Sequence, residues 1–265
     1  MKIFDVHIRS DSCTDADLKN LRYFETEHVI TTAYDARPFE QARDLMSYFQ
    51  GLIDHECSRL RRCGLIPHVA LGVLPGARPR RTHYEVWREL PGLLTNPAVV
   101  AIGEIGVWED VKDQWDLFER QIKLALEAGP RPVIITPPPE LRITMTYKMM
   151  QIIERIGFPP HQVMINYTDD RFIENVLQSG FCAGVAVGAT PQTPRQAAGI
   201  LVRVLESQGS AERVILNSAL RAGGSDVLAI PKTVAALQEL GMIEEEIEAL
   251  TFENASKLFL GHLSG

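Results

Sequence analysis

Val99-Val100-Ala101-Ile102-Gly103-Glu104-Ile105-Gly106 sets a short, wholly apolar run against one carboxylate flanked by glycines. Apolar residues in an unbroken row, without polar alternation, read as a strand buried on both faces, the kind found in parallel sheets. The strand is expected over 99–102, leading into the Glu104 segment, and an amphipathic helix follows at 115–128. A strand followed by a helix is half of a βαβ crossover, so the flanking sequence should repeat the unit.

It does so in both directions. Toward the N-terminus lie strands at 66–73, 29–33 and 3–8, with helices at 84–94, 39–62 and 15–24. The longest of these helices carries Phe39, Ala42, Leu45, Phe49, Leu52, Ile53 and Leu60 largely at three- and four-residue steps, and Gly64 follows it as a C-terminal stop. Toward the C-terminus, strands at 132–135, 163–165, 181–187 and 214–216 alternate with helices at 144–156, 172–178, 194–208 and 227–240. Thr193 caps the helix that opens on Pro194. Two short helices over 244–260 close the chain. Eight strand-then-helix units in 265 residues predict a single α/β domain, a (β/α)8 TIM barrel spanning 1–265. The alternative is a doubly wound open sheet.

The composition is that of an ordinary globular protein, with 45% apolar and 23% charged residues. The net charge is −7, from 34 acidic and 27 basic side chains. Nucleic-acid binding draws much of its affinity from Lys and Arg neutralising phosphates, so bulk charge gives it no support. The run Arg78-Pro79-Arg80-Arg81 reads as a solvated loop. Cys13, Cys57, Cys63 and Cys182 fit neither zinc-pair nor disulfide-framework spacing and read as reduced thiols. With no apolar signal region at the N-terminus and no run long enough to span a bilayer, the expectation is a cytoplasmic protein without membrane contact.

In a barrel of this type the chemistry sits at the C-terminal ends of the strands. On the first strand, period two puts Asp5, His7 and Arg9 on one side, facing the mouth. The other histidines, His28, His55, His68, His83, His161 and His262, fall at strand starts, on helices or loops, or in the tail. They read as packing or surface residues.

Ala101-Ile102-Gly103-Glu104-Ile105-Gly106 closely resembles a signature of the TatD-like metal-dependent hydrolases, barrels of the amidohydrolase type. Ala70-Leu71-Gly72-Val73 with Pro75, Asn217-Ser218-Ala219, the stretch Ser225-Asp226-Val227-Leu228-Ala229-Ile230-Pro231-Lys232 and the closing Glu253-Asn254-Ala255-Ser256-Lys257-Leu258-Phe259 carry the same resemblance along the whole chain. It implies a two-metal hydrolase acting on phosphodiester or related bonds. In that family Glu104 would bind metal, beside two first-strand histidines spaced H-x-H.

This chain departs from that pattern at four strand ends. Arg9 replaces the second histidine of the first strand, and Ile135 and Pro138 stand for the two histidines of the fifth. Asn166-Tyr167 replaces an aspartate and a histidine on the sixth. On the eighth, within Leu220-Arg221-Ala222-Gly223-Gly224, Arg221 falls nearest the expected aspartate. Only His7 and Glu104 remain of the ligand set, whereas catalytic zinc takes three protein ligands and a water. A unit positive charge at about 5 Å opposes a cation by roughly 3 kcal/mol at an effective dielectric of about 20.

The expectation is a degenerate metal centre with no resident cofactor, in a pseudoenzyme or a barrel that binds a small anion or a partner protein. His7 and Glu104 are its remnant catalytic positions, and Arg9, Asn166, Tyr167 and Arg221 its anion-binding candidates. Arg9 pairing with Asp5 or Glu104 is an equal alternative. The rival reading is an active hydrolase using an altered site around His7 and Glu104, with a divalent metal or with the pair as acid and base.

Overall fold

The computed structural model describes residues 1–33, 39–129, 131–188, 192–221 and 225–261. Ala222, Gly223, Gly224 and His262, named above, lie outside them. Strands β1 (Ile3–Ile8), β2 (Thr26–Thr32), β3 (Ile66–Ala70), β4 (Val99–Ile105), β5 (Val133–Ile135), β6 (Val163–Ile165), β7 (Cys182–Ala186) and β8 (Val214–Asn217) pair in sequence order, every neighbouring pair parallel. A parallel bridge between Ile8 and Leu220 brings the first strand against the end of the last, and the Arg9 N–H donates to the Leu220 carbonyl at 2.8 Å. That contact closes the barrel and removes the open-sheet alternative.

The helices α1 (Asp15–Tyr23), α2 (Ala42–Gly51), α3 (Cys57–Arg62), α4 (His83–Leu94), α5 (Lys112–Glu127), α6 (Arg142–Ile156), α7 (Ile173–Gln178), α8 (Pro194–Gln208) and α9 (Ala229–Glu239) form the outer layer. The long helix expected over 39–62 begins at Ala42 and passes through a wider turn at Leu52–Glu56 before α3. Gly64 follows with a φ of 85°, the left-handed conformation that ends helices. Thr193 caps α8 as expected, accepting from the Gln196 N–H while Gln196 reaches back to the cap.

Two apolar layers hold the fold. The larger lies between strands and helices and includes Leu45, Phe49, Phe118, Met149, Phe172 and Leu201. The smaller fills the barrel with Phe4, Val6, Ile30, Val100, Ile134, Met164 and Ile215, together with Ala255 and Phe259 of the last helix, α11 (Asn254–Phe259). Alpha10 (Glu244–Glu248) and α11 thus carry the tail across the base of the barrel, opposite the mouth. No helix among the described residues is long and apolar enough to cross a membrane.

The glycines beside Glu104 permit close packing. A Cβ on Gly103 would lie 2.7 Å from Ile134 Cβ, and one on Gly106 would overlap the Thr136 carbonyl oxygen. Only glycine lets β4 come this near to β5, so the strand runs on to Ile105, beyond the expected end at 102.

Candidate functional site

The ends of β1, β4 and β6 and the residue after β5 converge on Glu104. His7 is 2% exposed, Arg9 5% and Glu104 1% by side chain, so the cluster lies beneath the surface of the mouth. Oε1 of Glu104 lies 2.7 Å from His7 Nε2 and accepts from the Thr136 hydroxyl. Oε2 accepts from Arg9 Nη2 at 2.8 Å and from the Thr32 hydroxyl at 3.3 Å. Burial alone would push this carboxyl up. Arg9, His7 and Thr136 together outweigh burial and hold its pKa well below the usual carboxylate range.

The proton on His7 is placed by its neighbours. Asn166 Oδ1 accepts from the Tyr167 N–H at 2.9 Å and from Asn217 Nδ2 at 3.0 Å, which fixes the amide orientation. Its Nδ2 therefore faces His7 Nδ1 at 2.8 Å and donates to it. With Nδ1 an acceptor, Nε2 carries the hydrogen and lies in close contact with Glu104 Oε1, without a hydrogen bond to it. The Tyr167 ring stands edge-on to the imidazole, with centroids 5.6 Å apart.

Asp5 faces away from this pair. Its carboxylate accepts from the Ser218 N–H at 3.1 Å, from the Ser218 hydroxyl and from the His7 N–H at 3.3 Å. Burial nevertheless outweighs these hydrogen bonds and the nearby His7 and raises its pKa. Two buried carboxylates in one mouth are thus shifted in opposite directions, and the guanidinium beside only one of them is the cause.

His7, Arg9, Glu104 and Asn166 therefore meet as one hydrogen-bonded cluster with Tyr167 against it, and Arg9 takes Glu104 rather than Asp5 as its partner. Arg221 is exposed. Its N–H donates to Ser225 Oγ at 3.1 Å, and among the described residues it makes no hydrogen bond or ion pair with the cluster. The fifth-strand assignment needs correction: Ile135 belongs to the apolar layer between strands and helices, and Thr136 is the residue that reaches Glu104. A three-residue strand carries no alternation from which to read which side chain turns inward, and threonine has no ligand signature. Sequence reasoning missed a second feature at the base, where His28 and His68 pair with each other, Nδ1 to Nε2 at 3.0 Å. Their positions at the starts of consecutive strands were the available signal.

These residues do not fit a two-metal centre. Both oxygens of Glu104 already accept hydrogen bonds, one of them from a guanidinium that cannot deprotonate. His7 turns its protonated nitrogen, not a lone pair, toward Glu104. Among the described residues no group of three or more His, Cys, Asp or Glu side chains is arranged to hold a metal ion.

No family model matches the sequence. The chain is 25% identical over 257 residues to an uncharacterized metal-dependent hydrolase from Methanocaldococcus jannaschii, covering 97% of this chain and 99% of that protein. Among solved structures, a TatD-like protein from Archaeoglobus fulgidus superposes with a TM-score of 0.79 at 24% identity, covering 97% of this chain and 99% of that one. A phosphotriesterase homology protein from Escherichia coli, complexed with phosphate in its active site, gives 0.75 at 15% identity over 97% and 98%. At these identities the solved structures speak for the fold.

Proposed function

We propose that the centre of this barrel, which is similar to TatD-like barrels and along its length to a metal-dependent hydrolase, has exchanged metal ions for an internal ion cluster. In this reading it is a pseudoenzyme, or a barrel whose role is to bind a small anion or a partner protein, and not a conventional two-metal hydrolase. The observation that carries it is the Arg9–Glu104 pair at 2.8 Å, which puts a permanent positive charge against the surviving acidic ligand position. A divalent ion there would have to displace the guanidinium and the Thr32 and Thr136 hydroxyls from the same carboxylate. Elemental analysis of protein purified without chelator, followed by calorimetric titration with Mn²⁺ and Zn²⁺, tests the reading. It requires no stoichiometric metal and no saturable binding at the centre; two bound ions per chain would overturn it.

The 2.7 Å contact between His7 and Glu104 favours one other reading, a hydrolase that uses the pair as acid and base without metal. Bis-p-nitrophenyl phosphate hydrolysis measured in EDTA decides between them. Turnover that persists in EDTA and disappears in Glu104→Gln supports the metal-free hydrolase, and no turnover under any condition removes it.

A further inference from the structure

A cavity of about 450 Å³ lies at the base of the barrel, beneath the starts of β5 to β8 and beside α11. Small-molecule sites span roughly 300–1,000 Å³, so the space is large enough for one. It exists because the tail covers the base unevenly. Ala255 and Phe259 of α11 pack into the barrel, while Leu258 of the same helix lines the cavity. Pro132, just ahead of β5, and Cys182, at the start of β7, extend this apolar wall. The Cys182 thiol donates to the His161 carbonyl at 3.4 Å, and burial pushes its pKa up to about 12, so it remains a neutral surface.

The charged part of the lining is Arg213, Lys257 and Glu212, two cations against one acid. Lys257 spends its charge on Glu212 at 2.8 Å. Arg213 is different: among the described residues it makes no ion pair. Its Nη1 donates to the carbonyls of Leu177 at 2.9 Å and of Phe181 at 3.0 Å, and Nε and Nη2 have no acceptor among the described residues. Those two bonds anchor a half-buried guanidinium on a backbone held left-handed, at a φ of 65°, a conformation costly for a residue with a side chain. An apolar wall therefore meets one cation that is fixed in place and not neutralised. Ligand sites are built in this way, with apolar contact for affinity and a few placed polar groups for orientation. A guanidinium edge with free N–H groups selects an oxyanion.

We propose that this cavity binds a small molecule in which one acidic group is joined to a short apolar body. The acid lies against Arg213, and the body against Pro132, Cys182 and Leu258. The site goes beyond the reading of the mouth, because it sits at the opposite end of the barrel. At the mouth Arg9 is paired with Glu104 at 2.8 Å and Arg221 is exposed. The base site stands whether or not the Glu104 centre holds metal.

Calorimetric titration at constant ionic strength tests it, with phenylbutyrate as the probe. Inorganic phosphate and phenylbutanol supply the acid and the apolar body separately. The proteins are wild type, Arg213→Asn, Lys257→Glu and Arg221→Ala. Asparagine tolerates a left-handed backbone and carries no charge. Lys257 is mostly exposed, so Lys257→Glu places a negative charge beside the cavity without removing buried contacts, and it serves if Arg213→Asn does not fold. Wild type should bind phenylbutyrate saturably, about tenfold or more tightly than either phosphate or the alcohol. Binding should weaken by about tenfold in both base variants and stay unchanged in Arg221→Ala, at the mouth. No saturable binding, equal affinity for either half of the probe, unchanged binding in the base variants, or loss of binding in Arg221→Ala overturns the proposal. Stoichiometric metal in the protein would overturn the metal-free centre while leaving this site standing, so the two failures are distinguishable.

Discussion

At the mouth of the barrel His7 lies between Glu104 Oε1 and the Asn166 amide, with a guanidinium completing the charge balance. At the base His28 and His68 lie stacked, their planes 5° apart, among Phe4 and Phe252. The first histidine has a buried anion 2.7 Å away. In the second pair each ring faces the other, so one nitrogen of the contact donates and the other keeps a lone pair. Burial accordingly lowers both, His68 to about 4, with the charges of His28 and Arg61 adding to the effect; Glu27 opposes it at His28 and Lys2 reinforces it. The contrast teaches that burial alone does not assign a role to histidine. The partners do: at the mouth a buried carboxylate and an amide, at the base a second imidazole.

The comparison breaks most readily at Glu104. Glu104→Ala removes the buried carboxylate to which Arg9, Thr32 and Thr136 donate, and removing one partner of a buried pair costs about 3–5 kcal/mol. Urea denaturation at pH 7 measures it. A loss below about 1 kcal/mol would mean that the cluster contributes no more than a surface pair does. The sign with pH follows from the lowered pKa. Glu104 contributes stability fully above its unfolded value of 4.5, and that stability is lost as pH falls through the lower folded value.

The base responds in a different window. The unfolded chain takes up a proton on His68 near 6.5, while the folded chain resists until about 4. The unfolded state thus binds more protons between these values, and stability rises with pH across the interval. From pH 7 to pH 5 the loss from this residue is about 2 kcal/mol. His68→Leu should flatten that part of the profile, as read from denaturation midpoints at the two pH values. An unchanged slope would place the pH sensitivity elsewhere.

Much of this was readable from the chain, for reasons that differ by residue. Period two on β1 put His7 and Arg9 on one side, and the glycine-flanked Glu104 announced a strand end at the mouth. Those three meet as the spacing implied. What periodicity could not supply was phase in short strands. Beta5 has three described residues, so nothing distinguished Ile135 from Thr136 as the inward one. Beta2 begins at Thr26, three residues before its expected start, because Glu27 and His28 sit half-buried at the base and read as polar loop. The His28–His68 pair depends on register between strands, where Ile30 sits opposite His68, and no single sequence displays register. The side chain of Arg9 was placed correctly at the mouth, yet its choice of Glu104 over Asp5 depends on geometry across the barrel.

The smallest effect tests that correction of phase. Thr136→Val keeps the shape of the side chain and removes one hydroxyl donor from the Glu104 carboxylate, a hydrogen bond to a charged group worth about 1.5 kcal/mol or somewhat more. Ile135→Val removes one methylene from the apolar layer and costs about 0.5–1.5 kcal/mol. The two losses overlap in size at pH 7, so magnitude does not separate them, but pH does. The Thr136 hydroxyl stabilises the ionised form of Glu104. Its contribution is therefore present above the unfolded value of 4.5 and fades as pH falls through the folded pKa. The gap between wild type and Thr136→Val should narrow in acid, while the gap for Ile135→Val stays constant. Urea denaturation of the three proteins at pH 7 and at the lowest pH where all remain folded provides the comparison. If the Ile135 gap narrowed and the Thr136 gap did not, the inward position would belong to Ile135, and the account of Glu104 would lose one of its three hydrogen-bond donors, Arg9, Thr32 and Thr136.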